Sequence, residues 1–129
     1  MARNPNILSR EKPLHRVASS KKDYLAFPSG VQDDMGFALG LAQLGGKHPN
    51  AKAWKGEGPG HFEIAEDHRA DTYRAIYTVR FADAVYVLHA FQKKSKTGIK
   101  TPLDDVNLIS ERLKPAQHRE DRGLAAAGV

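Results

Sequence analysis

Residues 51–94 read "AKAWKGEGPGHFEIAEDHRADTYRAIYTVRFADAVYVLHAFQKK", and the fold turns on how this stretch is divided. It falls into three runs rich in β-branched and aromatic residues, roughly His61–Glu66, Thr72–Phe81 and Ala84–Phe91, with short turn-prone pieces between them. The "FADA" between the last two runs is a tight hairpin connection, so the stretch predicts consecutive antiparallel strands. Upstream, "SSKKDYLAF" predicts a short helix capped by Ser19 or Ser20. It ends at Phe27-Pro28, because the residue before a proline is pushed out of the helical region. In "PSGVQDDMGFALGLAQLGGKHP" the residues Val31, Met35, Ala38, Leu39 and Ala42 recur at helical spacing, with Asp33 and Asp34 expected in the first turn and Gly45-Gly46 and Pro49 as the stop. Further upstream, "KPLHRVAS" has partial alternation, and Pro13 confines it to a sheet edge. Downstream, Thr101-Pro102-Leu103-Asp104 is a helix start with a cap, a proline at the first helical position and acids in the first turn. Val106, Ile109 and Leu113 give that helix one apolar stripe, and Pro115 is its expected end.

The order is strand, helix, helix, three antiparallel strands, helix. This is an α+β class: a small antiparallel sheet of about four strands with two N-terminal helices packed on one face and a C-terminal helix. Such a sheet commonly leaves its other face free. Residues 1–11 form a polar N-terminal extension, residues 12–115 a single domain, and residues 116–129 a flexible tail with no clear packing face.

At 129 residues, 40% hydrophobic and 27% charged, the chain has the size and composition of one globular domain. No apolar run approaches the roughly 20 residues that cross a bilayer, and the N-terminus has no secretory signal pattern, so a cytoplasmic location and no membrane partner are expected. The absence of cysteine excludes disulfides, thiolate catalysis and Cys-ligated zinc. His61 and His68 flank acids but lack metal-ligand spacing, so neither a metal nor another cofactor is expected. The net charge of +5 points to an acidic partner, and the charge is segregated. Residues 1–22 and 91–115 are basic, residues 57–71 are acidic, and four lysines lie within the eight residues 93–100 at the end of the last strand.

The runs "AWKGEGPGHFEIAED", "DTYRAIYTVRF" and "VYVLHAFQKKSKTGIKTPLDDVNLISERLK", preceded by "YLAFPSGVQDDMGFALGLAQLGGKHPNAKAWKG", closely resemble the phage-derived, HigB-like branch of the RelE/ParE toxin superfamily. The resemblance covers roughly Asp23 to Lys114. It implies the toxin of a type II toxin–antitoxin module, held by a cognate antitoxin that is a small helix-turn-helix protein. It also implies one of two activities, ribosome-dependent and metal-independent cleavage of mRNA or inhibition of gyrase. A non-catalytic antitoxin-binding protein is a third reading.

Cleavage through the ribose 2′-OH requires a proton acceptor, charge stabilisation at the phosphate and help for the leaving oxygen. The resemblance makes Arg74, in "TYRAIYTV", the phosphate-binding arginine, for which the guanidinium fork is suited. The alternative is an ordinary strand arginine paired with Glu63 or Glu66. Lys93 and Lys94 are the candidate charge stabilisers, and His89 is a candidate general acid or base. Simple alternation places His89 and Phe91 on one face with Val85 and Val87, and Tyr73 and Tyr77 opposite Arg74. Lys55, Arg80, Lys93, Lys94 and Lys96 are the candidate nucleic-acid contacts, and Trp54 is either a base-stacking residue or a core plug. The acidic run "HFEIAED" departs from ribonucleolytic relatives, which carry lysines there.

Overall fold

The computed structural model describes residues 11–93 and 102–126. Most of the N-terminal extension, the Thr101 cap, Lys94, Lys96 and the last three residues lie outside the described residues. Among the described residues five strands form one mixed sheet: β1 (Leu14–Arg16), β2 (Ala51–Ala53), β3 (His61–His68), β4 (Asp71–Thr78) and β5 (Val85–Lys93), in the order β1-β5-β4-β3-β2. The β2-β3, β3-β4 and β4-β5 pairs are antiparallel, as the alternating runs require, while β1 lies parallel on the free edge of β5. The sheet therefore has one more strand than expected. Three-residue Ala51–Ala53 is too short to carry a readable period.

The β3-β4 turn is Arg69-Ala70, with both residues at positive φ (50° and 70°). A two-residue hairpin turn of this kind matches the twist of its strands, but it is normally marked by Asn-Gly or Asp-Gly. Arg-Ala carries no such mark, which is why β3 runs two residues beyond its expected end.

Two helices, α1 (Ser20–Leu25) and α2 (Ser29–Gln43), cover one face of the sheet. All five apolar positions of the α2 stripe, Val31, Met35, Ala38, Leu39 and Ala42, are buried against Ile64, Tyr77, Val85 and Val87. Burying each large side chain there stabilises the fold by roughly 1.5–3 kcal/mol. Asp33 and Asp34 lie one turn later than expected, because α2 starts at Ser29. Gly45, at φ 88°, ends the helix in a conformation that other residues adopt only under strain.

The opposite face is not free. Helix α3 (Leu103–Ala126) lies across it, and Ile109 and Ala116 pack with Ile76, Tyr86 and Leu88. Nor does α3 stop at Pro115, so residues 116–126 are helix where a frayed tail is expected. An internal proline costs a helix about 3 kcal/mol. Beyond it, Ala116 is fully buried and the Tyr86 hydroxyl donates to Glu120 Oε2 at 2.9 Å, so contacts with the sheet hold the chain helical.

Candidate functional site

The site is built by a change of phase in β5. Tyr77 pairs with Val87, but the next pair is Ile76 with His89, so Leu88 is an extra residue in the strand. Such a bulge shifts every later side chain to the other face. His89, Phe91 and Lys93 consequently share the face of Ile76, Arg74 and Thr72, their direct partners. Simple alternation put His89 with Val85 and Val87. The bulge overturns that assignment and brings Lys93 to the Arg74 side.

Arg74 Nη1 donates to Glu63 Oε2 at 2.8 Å, and the two side chains are only 13% and 14% exposed. Glu63 stands opposite Ile76, two residues along β3 from the Arg74 partner Ala65, so the pair bridges the two strands on the diagonal. Glu66, the other carboxylate considered for Arg74, pairs with Tyr73 and faces α2 instead. There burial and the neighbouring Asp34 push its carboxyl above the usual range. Arg74 Nε is buried with no hydrogen-bond partner among the described residues, so the guanidinium is not fully used by its carboxylate.

Lys93 completes the group. It is 8% exposed, and burial, together with the Arg74 cation, holds its ammonium below the usual lysine range against the opposing pull of Glu63. Arg74 is thus paired with Glu63, and Lys93, on the same face, feels both charges without an ion pair of its own among the described residues.

His89 is committed elsewhere. Its Nε2 lies 2.7 Å from Asp105 Oδ1, and its Nδ1 lies 3.2 Å from Arg112 Nη1. The tautomer that satisfies both carries its proton on Nε2 and accepts from Arg112 on Nδ1. Arg112, 9% exposed, also donates to the Leu88 carbonyl at 3.1 Å and to Ser19 Oγ at 2.8 Å, and Ser19 donates to Asp23 at 2.9 Å. This chain of hydrogen bonds ties α3, the bulge in β5 and α1 together. Both imidazole nitrogens are occupied, so His89 fastens the helix to the sheet.

The remaining candidates are dispersed. Lys55 is exposed in a 3-10 turn after β2, and Arg80 is exposed beyond β4 with its guanidinium 5.6 Å from the centre of the Phe81 ring. Both belong to the Thr78 end of β4, roughly 20 Å of strand away from Lys93. Tyr73 and Tyr77 face α1 and α2, as expected from Arg74, and burial pushes the Tyr77 hydroxyl up to about 12. Trp54 packs against the Ile76 cluster, and His61 is fully buried with Nδ1 near the Gly58 and Pro59 carbonyls.

Sequence reasoning missed Arg112, which looks like one more cation on a charged helix. It treated Glu63 only as a possible partner, because the diagonal with Arg74 appears only when the register is fixed by the unmarked Arg69-Ala70 turn. Chemically, the group offers a carboxylate able to accept a proton beside two cations able to hold a phosphate.

The sequence profile of the family described as phage derived protein Gp49-like (DUF891) matches residues 22–114. No curated protein and no solved structure matches the chain.

Proposed function

The chain belongs to the phage-derived Gp49-like family, and from that premise we propose that it is the toxin of a type II toxin–antitoxin module. In this reading it is a HigB-like, metal-independent endoribonuclease that cuts mRNA on the ribosome in the cytoplasm and is neutralised by a small helix-turn-helix antitoxin. The family is compatible with a toxin of this kind, and among the described residues no helix is long and apolar enough to cross a membrane.

The observation that carries the reading is that Arg74, though paired with Glu63 as the ordinary strand-arginine alternative expected, keeps its Nε without a partner among the described residues, with buried Lys93 on the same face. In the proposed reaction Arg74 exchanges part of its contact with Glu63 for the scissile phosphate. The released carboxylate accepts the 2′-hydroxyl proton as that oxygen attacks phosphorus, giving a 2′,3′-cyclic phosphate and a free 5′-hydroxyl. Lys93 stabilises the charge that builds on the phosphate and the departing 5′-oxygen, which takes its proton from water, and Lys94 and Lys96 are proposed to hold the strand beyond it. Aligned cations in a site of reduced polarity are worth far more than the same charges in water. His89 is proposed to position α3 rather than to transfer a proton, which revises its expected role. Lys55 and Arg80 remain proposed contacts for more distant phosphates.

The test is controlled expression with mRNA 5′ ends and plasmid supercoiling read in the same cells. New ends inside translated codons, absent in Arg74→Gln, are the expected result. Intact mRNA with altered supercoiling would transfer the protein to the gyrase inhibitors, and no change in either would leave only an antitoxin-binding role.

A further inference from the structure

Beyond Pro115, α3 stands against β1 and closes a cavity of about 300 Å³ lined by His15, Arg16, Tyr86, Pro115, Arg119 and Arg122, among others. The guanidinium groups of Arg119 and Arg122 and the His15 imidazole therefore line one place, on the side of the bulge away from Lys93, while the Arg16 guanidinium turns to the other face of β1, over the Tyr24 ring. Arg119 and Arg122, three apart on the helix, share a face. Of the two acids between them, Glu120 accepts from the Tyr86 hydroxyl at 2.9 Å and Asp121 accepts from Gln117 at 3.0 Å. Among the described residues neither Arg119 nor Arg122 forms an ion pair. Burial and the Arg119 cation hold the His15 imidazole below its ordinary range, with Glu120 opposing them. The positive surface also continues: a neighbouring open groove shares Ala18 with this cavity and is lined by Lys21 and Lys22.

A single carboxylate would satisfy one guanidinium fork. A run of cations from Arg119 and Arg122 past His15 to Lys21 and Lys22 fits a chain of linked phosphates instead. We propose that this cavity is a second phosphate site, seating a backbone phosphodiester of the RNA strand remote from the one that Arg74 engages. The proposal rests on the ribonuclease reading for the identity of the strand, but its geometry does not use Arg74, Glu63 or Lys93.

The experiment measures binding of a fluorescein-labelled, uncleavable 2′-O-methyl RNA of about 20 nucleotides to the full chain by anisotropy over a salt series. Arg119→Gln/Arg122→Gln is compared with wild type. Both arginines are exposed, so the thermal midpoint should be unchanged. Affinity is expected to fall roughly tenfold, and the slope of log K against log salt to shrink by about 1.4, or about 0.7 for each lost contact on a single strand. An unchanged affinity and slope would overturn the proposal. So would oligonucleotide binding indifferent to these arginines in a chain whose His15 NMR signals move on adding inorganic phosphate, since that marks a free-anion site. Loss of antitoxin capture with full RNA affinity would overturn it in favour of an acidic protein segment. Because the probe cannot be cut, these outcomes are independent of whether cleavage occurs. RNA ends that appear in cells while the double variant binds normally would sink this site alone, and arginine-dependent binding without cleavage would sink the ribonuclease alone.

Discussion

The two faces of the sheet are built from opposite materials. Under α1 and α2 the buried residues are mostly apolar; the Ser20 hydroxyl is paired with the Val87 carbonyl, and the Tyr24 and Tyr77 hydroxyls and the edge carboxyl of Glu66 are polar groups that burial penalises. Under and around α3 the same strands present His61, Arg74, His89 and Lys93, joined from the helix by Arg112. A buried polar group costs stability unless it is paired, so the second face is held by specific hydrogen bonds where the first is held by area. The proposed function makes this a division of labour: one face can be altered at the expense of stability alone, whereas the other would couple stability to chemistry.

The sharpest way to break that division is to remove the arginine. Arg74→Gln is expected to lower cleavage by about 10²–10³-fold, the usual effect of deleting one donor to a developing oxyanion, while the purified variant keeps its folded circular dichroism spectrum. Arg74→Lys should recover only part of the rate, because a single ammonium cannot replace the fork. Full cleavage by either variant would remove Arg74 from the chemistry.

On the other face, Met35→Ala deletes a side chain with no exposed surface. It should cost roughly 2–5 kcal/mol in urea unfolding, with cleavage per folded molecule unchanged. If its activity falls faster than its folded fraction, the two faces are not separable.

Arg112 lies between these extremes. Arg112→Met removes the donor to the Leu88 carbonyl, His89 Nδ1 and Ser19 Oγ together. The expected cost is about 1–3 kcal/mol, with a changed tautomer balance in the His89 ring nitrogen NMR signals. A stability loss with unmoved His89 signals would mean that Arg112 acts by packing alone.

How much of this the sequence discloses follows the same division. The apolar face was legible because helical and strand periods record burial directly: the five α2 residues are the five expected, and Tyr73 and Tyr77 face the helices. The polar face was not, since its geometry depends on events that leave no periodic trace. One extra residue, Leu88, reverses His89 and Lys93 without any glycine or proline to mark it. The Arg69-Ala70 turn sets the Glu63–Arg74 diagonal without a turn signature. Pro115, usually a stop, is overridden by the burial of Ala116 and the Tyr86–Glu120 contact beyond it. Arg74 and Lys93 were named as candidates by residue type and resemblance, whereas the pairing of Arg74 with Glu63 on the strand diagonal required the register.

The smallest expected effect tests whether Lys93 belongs to the polar face in energy as well as position. Burial and Arg74 lower its pKa, so folding is opposed by the charged ammonium. Between the lowered value and the ordinary 10.5, the unfolded chain binds the proton that the folded chain has lost. Stability contributed by this group therefore rises with pH through that window, is complete above 10.5, and is lost as pH falls through the folded value. Cleavage should move the other way, since the reaction needs the charge, and its rate should fall over the same window. Lys93→Met separates the two: near neutral pH it should be slightly more stable than wild type yet slower to cleave, and its stability advantage should fade as the wild-type lysine deprotonates. Urea midpoints and cleavage rates measured from about pH 7 upward decide the matter. If the two proteins keep a constant difference in stability across the range, the ammonium is not strained by burial, and the slower cleavage of the variant must come from lost contact with RNA alone.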